Sequence, residues 1–321
     1  MDAFERLYLL LAERFPGQVE RDRPLAGLTT LGCGGPAALC FEAKRRAEFL
    51  EALDLAEVAS VPRALVAGGS NLLISDKGFE GLVLLVRSTV IEERPEGVVA
   101  DAGVCLADLV SWSIDRGHAG LVFASGIPGS IGGAVRGNAG AYGAELAEVV
   151  RRVELRDSVG TRWVEAADLG FAYRDSRFKH TEEVIVRVEL ALPRREAPEV
   201  LAEASHRILA QRGTRLPGTP SAGCFFKNLP LARGLPPALA REDLPPAFFE
   251  QGKLPAGWLI ERCGLKGYRF GTAQVSPQHA NILTGEPPLR SEDLVQLCRL
   301  IVDRVEERFG VVLEQEVAVL G

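Results

Sequence analysis

Methionine is almost missing from this chain: Met1 is the only one in 321 residues. Histidine is nearly as scarce, with four residues at positions 118, 180, 206 and 279. None stands at a metal-ligand spacing such as HExxH, so no histidine-based metal centre is expected. Six cysteines occur (Cys33, Cys40, Cys105, Cys224, Cys263 and Cys298) without a single CxxC pair. That spacing fits reduced, mostly buried thiols, and neither a disulfide framework nor a zinc site. No run approaches the roughly 20 apolar residues of a membrane span. The first residues, with Asp2 and Glu5 around Phe4, lack the basic region and apolar core of a secretion signal, so a cytoplasmic location is expected. Excess positive charge is absent too. The formal net charge is −6, which argues against a nucleic-acid partner but leaves room for a local basic pocket. There is no GxxxxGK[ST] phosphate loop, no repeat and no low-complexity tract. Lysine is rare, 6 against 31 arginines, a bias that carries no functional information.

What is present is the composition of a folded protein, with 47% hydrophobic and 25% charged residues. The length predicts about two domains. Phe4, Leu7, Leu11 and Phe15 fall at helical spacing, and 47–56 reads as a second helix. Residues 65–67, 82–86 and 98–100 read as buried strands, and 106–116 as a helix stopped by Gly117. A long loop is expected over 120–145, then alternating strands over 149–156 and 183–190. The proline-bounded PRREAP at 193–198 is the preferred boundary. It separates residues 1–195, in two lobes split near 62–65, from 196–321. Beyond it the pattern predicts a helix over 199–211, a short strand at 224–226 and a helix over 291–309 capped by Ser291. A terminal strand over 311–320 is expected, with 311–321 a candidate to return to the first domain. The order of elements predicts an α+β protein with more than one sheet.

Seven of the 18 residues from Gly126 to Gly143 are glycine, in GIPGSIGGAVRGNAGAYG. Glycine permits positive φ and lets backbone amides approach a ligand, and successive inward amides form an anion nest suited to a pyrophosphate. Gly68-Gly69-Ser70-Asn71 leaves a buried strand in the same manner. Glycine clusters are also ordinary turn material, but two such loops in one domain favour a dinucleotide site. A decoy lies nearby. Gly32-Cys33-Gly34-Gly35-Pro36-Ala37 satisfies GxGxxA, yet no convincing strand precedes it and Pro36 sits where a helix is meant to begin.

Further blocks extend the pattern. VAGGSNLLISDKGFEG at 66–81, FASGIPGSIGGAVRGNAGAYG at 123–143 and FAYRDSRFK at 171–179 resemble the UDP-N-acetylenolpyruvoylglucosamine reductase family. So do AGCFFKN at 222–228, AGWLIERCGLKGYRFGTAQVSPQHAN at 256–281 and LEQEV at 313–317. The resemblance implies a vanillyl-alcohol-oxidase-type FAD domain in two lobes with a smaller α+β substrate domain. It also implies reduction of UDP-N-acetylglucosamine enolpyruvate to UDP-N-acetylmuramate for peptidoglycan, with NADPH reducing FAD and the flavin passing hydride to the vinyl carbon. The protein would act on small molecules as a monomer. By the same resemblance, FAD would lie against Ala67, Gly68, Gly69, Ser70, Asn71 and Leu72 in one loop. In the longer loop it would meet Ser125, Gly126, Ile127, Pro128, Gly129, Ser130, Gly132, Gly133, Asn138, Gly140 and Tyr142.

The resemblance further assigns catalysis to Arg174, Cys224 and Glu316. Hydride addition beside a carboxylate builds an enolate-like dianion, which a fixed guanidinium can stabilise and an acid must protonate. Taken alone, Arg174 could equally be a surface ion pair and Glu316 an exposed position of the last strand. Cys224 stands where the family usually has a serine proton donor, in GCFF. A thiol titrates near about 8.5 in peptides and is mostly protonated at neutral pH, so it can serve as the acid; an inert buried cysteine is the alternative. Tyr173, Arg215, Asn228, Lys253, Lys266 and Gln278 are the substrate contacts implied, Arg215 standing where many members have lysine. The interval from Arg174 to Cys224 is that of the shorter family form, which lacks a substrate-closing tyrosine. An FAD oxidase of the same fold using oxygen is the alternative enzyme, and a flavin- or UDP-sugar-binding module without catalysis the alternative outside enzymes.

Overall fold

The computed structural model describes residues 2–215 and 218–321, with the side chains of 214, 215, 233 and 241 outside the description. Two compact units share the chain. Unit 1 takes the N-terminal segment to Arg23, Ala37–Gly69 and Glu80–Thr214, and unit 2 takes Pro24–Pro36, Ser70–Phe79 and Arg215–Gly321. The PRREAP break therefore lies inside unit 1, and the final residues lie in unit 2.

Unit 1 carries two sheets. The first orders Val19–Pro24, Pro36–Ala43, Phe79–Val86 and Arg63–Val66, the last two parallel. Residues 82–86 form a continuous apolar run because each is buried, as an inner strand of a covered sheet requires. Helices Ala3–Arg14 and Arg46–Val58 supply the cover, packing Leu7, Leu11, Phe49 and Leu53 with Phe41, Leu82 and Leu84. The Asp2 carboxylate accepts from the Glu5 amide at 2.7 Å and starts the first of them. The second sheet is antiparallel, in the order Thr161–Glu165, Val150–Arg156, Val184–Ala191, Gly97–Asp101 and Ile91–Arg94. Helix Leu106–Asp115 packs Leu109 and Val110 into the same core as Val98 and Val188, and Gly117 follows it at φ 72°.

The stretch expected as a loop over 120–145 holds more structure than its glycines suggest. A 3-10 segment spans Ala119–Ala124, and IGGAVR forms the helix Ile131–Arg136. Propensity opposes a helix with two glycines, so packing decides: Ile131 and Val135 are fully buried, and the Ser130 hydroxyl caps the Gly133 amide. The decoy motif leads into the strand Pro36–Ala43 and no helix. Its glycines serve packing, since a Cβ on Gly35 would stand 2.3 Å from the Asp76 carbonyl oxygen.

Unit 2 gathers around helix Ser291–Phe309, which buries Leu294, Leu297, Cys298, Ile301, Val305 and Phe309 along one stripe. A small antiparallel sheet orders Arg269–Phe270, Ala273–Val275 and Leu283–Gly285. Two expectations are corrected here. Ser291 is not the cap of its helix: the Asp76 carboxylate accepts from the Ser291 and Glu292 amides at 3.0 and 3.2 Å, while the Ser291 hydroxyl accepts from the Asp76 amide. Nor is 311–320 one strand. Only Ala318–Leu320 is, parallel to Leu72–Ile74, because the preceding residues give their backbone bonds to a different segment, around residue 226.

Candidate active site

In unit 1 the two glycine loops meet. A Cβ on Gly68 would stand 2.6 Å from the Gly129 Cα, so a side chain there would force backbone apart. Gly132 is equally confined, its notional Cβ lying 2.7 Å from the Ala102 Cβ. The anion nest is smaller than the glycine count suggests. The amides of Ile127, Ile131 and Gly132 donate to the carbonyls of Ala124, Val104 and Ala102, and that of Gly133 to the Ser130 hydroxyl. Among the described residues the amides of Gly68, Gly126 and Gly129 have no such acceptor, and Gly126 and Gly129 hold φ 74° and 104°. A narrow strip of backbone amides without internal acceptors remains, the kind of surface that can take an anion. Ser125 is buried and bonded to the Val122 carbonyl and the Ser205 hydroxyl. Pro128 and Tyr142 are exposed, the Tyr142 hydroxyl reaching the Ile208 carbonyl at 3.5 Å. The Ala67 carbonyl accepts from Arg87.

The far end of the stretch holds Arg174. Ala172 and Asp175 exchange backbone bonds at 3.1 Å, closing a tight turn with Arg174 at φ 54°. A non-glycine residue there costs about a kcal/mol unless its surroundings hold it. Here they do. The guanidinium donates to the carbonyls of Asn138 and Gly140 at 3.4 and 2.5 Å and lies 5.3 Å from the centre of the half-buried Tyr173 ring. The Arg174 carbonyl accepts from the Lys179 ammonium. Asn138, fully buried, donates from its side chain to the Ala172 carbonyl at 2.9 Å and accepts from the Ala147 amide at 3.0 Å. Its side chain thus braces the turn as well as the loop. Ser176 does the same, its hydroxyl donating to the Arg136 carbonyl.

Unit 2 brings Cys224 and Glu316 onto neighbouring segments. The Phe225 amide donates to the Asn281 carbonyl at 2.8 Å, and the Phe225 carbonyl accepts from the Glu316 amide at 2.7 Å. The Lys227 amide donates to the Glu314 carbonyl. Asn281, 1% exposed, both accepts from the Phe226 amide and donates to the Phe226 carbonyl, at 2.9 and 2.8 Å. Residues 224–227 are therefore clamped from two sides, with Phe225 and Phe226 in the core, the Cys224 residue exposed and Glu316 half-buried. The expected strand at 224–226 is instead a pair of isolated bridges, Cys224 to Ile282 and Phe226 to Gln315. Asn71 joins the group, its side chain donating to the Glu316 carbonyl at 3.3 Å while its own carbonyl accepts from Ala318. Leu72 starts the strand paired with Ala318. Gly69 closes a segment of unit 1 and Ser70 opens one of unit 2.

Of the residues expected at the sugar nucleotide, Tyr173 lies in unit 1 and the rest in unit 2. The Asn228 side-chain oxygen accepts from the Ala256 amide at 3.1 Å and so starts helix Ala256–Arg262. Lys253 is half-buried in the short pairing of Leu229–Pro230 with Lys253–Leu254. Lys266 is exposed and paired with Glu261 at 3.0 Å, and Gln278 is exposed beside the fully buried Ser276, whose hydroxyl accepts from the Gln278 amide. The side chain of Arg215 lies outside the described residues. Asn281 and Ser176 were not singled out from sequence; each lies in a quoted block, but nothing in an isolated Asn or Ser announces a backbone clamp. Among the described residues no cluster of His, Cys, Asp and Glu could hold a metal, and no helix is long and apolar enough to cross a membrane.

Comparison with known proteins gives the family. Residues 37–164 match an FAD binding domain, and residues 215–320 match the C-terminal domain of UDP-N-acetylenolpyruvoylglucosamine reductase. The reductase of that name from Solibacter usitatus is 40% identical over 94% of this chain and 97% of its own. Its counterpart from Nocardia farcinica is 38% identical over 92% and 88%. The crystal structure of the Thermus caldophilus reductase superposes with a TM-score of 0.73 at 31% identity, covering 95% of this chain and 99% of that one. The fold is accordingly α+β, a two-lobed FAD-binding domain of the vanillyl-alcohol-oxidase type with a smaller α+β domain. Matched across nearly its whole length in sequence and in fold, the chain belongs to the UDP-N-acetylenolpyruvoylglucosamine reductase family.

Proposed function

We propose that this enzyme reduces UDP-N-acetylglucosamine enolpyruvate to UDP-N-acetylmuramate for peptidoglycan synthesis, using FAD and NADPH and working as a monomer. The observation that carries the reading is Arg174, a strained-φ arginine whose guanidinium is held by carbonyls of the glycine stretch. Strain of that kind persists where the surroundings over-determine it, which is characteristic of functional positions. Gly68, Gly126 and Gly129 would hold the FAD diphosphate through their amides, with Ala67, Gly69, Ser70, Asn71, Ser130 and Tyr142 along the same loops. The close approach of Gly68 to Gly129 supports this, because only bare backbone leaves the strip accessible. When bound, FAD supplies the hydride that it has taken from NADPH.

The protein residues manage charge and proton. Arg174 presents N–H donors to the substrate carboxylate as its charge grows, and its prior anchoring removes the reorganisation that a free side chain would need. The Cys224 thiol, exposed at the end of a clamped segment, donates the proton to the carbon next to the one that receives hydride. Glu316, bonded through its amide to that segment, assists at the same carbon through a hydrogen bond. Tyr173, Arg215, Asn228, Lys253, Lys266 and Gln278 bind the sugar nucleotide, and Asn228 does so with its amide nitrogen, since its oxygen caps a helix.

Anaerobic stopped flow tests the assignment. NADPH should bleach the flavin and the enolpyruvyl sugar should restore it. Cys224→Ser should keep substantial turnover. Cys224→Ala should still be bleached by NADPH, with reoxidation by the sugar slowed about 10²–10⁴-fold. Full turnover in the alanine variant removes Cys224 from the mechanism, and equally fast reoxidation by oxygen would make the protein an oxidase.

A further inference from the structure

Helix Pro198–Arg215 runs past the residue where its sequence pattern fades, and its last turns lie over the glycine stretch of unit 1. Two polar contacts and one apolar contact fix it there. The Ser205 and Ser125 hydroxyls are 2.8 Å apart, Tyr142 reaches the Ile208 carbonyl, and Leu209 covers Gly126, whose notional Cβ would be 2.9 Å from the leucine Cδ2. One turn on, Arg212 packs against the same glycine. Its Cδ and Nε would each stand 3.1 Å from that Cβ, so any residue but glycine would displace the arginine. The buried Arg212 Nε has no hydrogen-bond partner among the described residues. Among the described residues its guanidinium has no carboxylate partner either.

A buried N–H donor left unpaired costs about 1–3 kcal/mol, and such groups are rare unless something else satisfies them. Here the orphan faces the positive-φ Gly126, whose amide, like that of Gly129 in the same stretch, has no acceptor among the described residues. A guanidinium fork together with bare amides suits a phosphate oxygen and little else of small size. A chain of net charge −6 also needs local cations to hold a polyanion. We propose that Arg212 is a diphosphate-binding residue that closes the glycine stretch from the helix side. This rests on the reading of that stretch as a nucleotide site. The shared chemistry is a diphosphate, and it could belong to FAD or to the UDP-sugar.

Four measurements on Arg212→Met and Arg212→Lys decide it. Calorimetric titration of inorganic pyrophosphate into apo-protein should give binding in wild type that Arg212→Met weakens about 10- to 100-fold and Arg212→Lys weakens less. Melting of the apo-protein should show Arg212→Met as stable as wild type or more so, because the change deletes an unpaired donor. Quenching of flavin fluorescence gives the FAD Kd, and turnover at saturating FAD gives the KM for the UDP-sugar. A rise in Kd alone assigns the diphosphate to FAD, and a rise in KM alone assigns it to the sugar nucleotide. If pyrophosphate, FAD and sugar all bind Arg212→Met as they bind wild type, or if the only change is a less stable apo-protein, Arg212 is structural and the proposal falls. A wild type that binds no FAD would overturn the flavin reading instead, and the pyrophosphate arm would still decide the role of Arg212.

Discussion

The glycine stretch of unit 1 and the 224–227 segment of unit 2 fix a backbone by opposite means. In the first, side chains are removed so that two loops can touch, at Gly68 and Gly129, and polar groups of Asn138 and Ser176 brace the rim. In the second, side chains are large and buried, Phe225 and Phe226, and the backbone is gripped by residues far away in sequence, Asn281 and 314–316. The first arrangement leaves amides accessible to a ligand. The second uses nearly every backbone group internally and offers only what projects from it, the Cys224 side chain. A mutation in the glycine stretch should therefore damage binding and one in the 224–227 clamp stability, while Arg174 carries the chemistry proposed above.

Arg174 gives the largest expected effect. Arg174→Ala should lower kcat about 10²–10³-fold, the usual loss when one fixed donor to a developing anion is deleted, while the flavin spectrum and FAD Kd stay as in wild type. Arg174→Lys should recover little, because an ammonium cannot reach both carbonyls and still present a planar fork. Loss of FAD affinity in either variant would mean that the turn at 172–175 supports the glycine stretch and not the reverse.

Asn281→Ala comes next and probes the other unit. It unpairs the amide and the carbonyl of Phe226 in a site that water does not reach, at a cost of about 3 kcal/mol. Melting should fall by about 5–10 °C, with FAD affinity unchanged if the flavin is held by unit 1 alone. Gly68→Ala is the counterpart. Its Cβ meets Gly129 backbone, so the two loops must separate, and overpacking of this kind costs about 1–3 kcal/mol. The expected reading is an FAD Kd raised about 10-fold with a small change in melting. Should Gly68→Ala lower stability more than Asn281→Ala, the contrast between the two regions would be wrong.

The same contrast explains what was legible in the sequence. The glycine stretch is contiguous, so its composition exposes it, and the apolar run at 82–86 reports its own burial. Helix Ile131–Arg136 was missed because its stability comes from contacts that Ile131 and Val135 make with distant residues and not from its two glycines. Arg212 was passed over because Gly213 weakens the helical pattern just where the helix continues. The clamp on 224–227 joins segments as far apart as Asn71 and Glu316, and no local period encodes such a pairing. The cap of helix Ser291–Phe309 failed for the same reason, its acceptor Asp76 lying 215 residues away. The roles proposed for Cys224 and Glu316 rest on resemblance alone, since a lone thiol and a lone carboxylate carry no signature.

The smallest expected effect compares a carboxylate in the first turn of a helix in each unit as pH falls. In unit 1, Glu48 is 4% exposed; burial pushes its carboxyl up, but the Arg45 guanidinium and the Lys44 and Arg45 amides outweigh burial and hold it below the ordinary range. In unit 2, Asp293 is lowered by the Thr272 amide and then by the Thr272 hydroxyl, in a more open position. Both are depressed in the folded state, so each contributes stability that is present above the unfolded carboxylate pKa, near about 4, and is lost as pH falls through the folded value. Glu48→Gln should cost about 1–2 kcal/mol at pH 7, the worth of charge-assisted bonds in a partly buried site, and almost nothing once pH has fallen through the folded carboxyl's own titration, where wild type has lost the contribution. Urea unfolding at a series of pH values should therefore show a flatter acid limb for Glu48→Gln. Asp293→Asn should flatten it less, because solvent screens the more exposed carboxylate. If Asp293→Asn proves the more acid-insensitive variant, bonding to Thr272 outweighs burial, and unit 2 is the acid-labile half of the molecule.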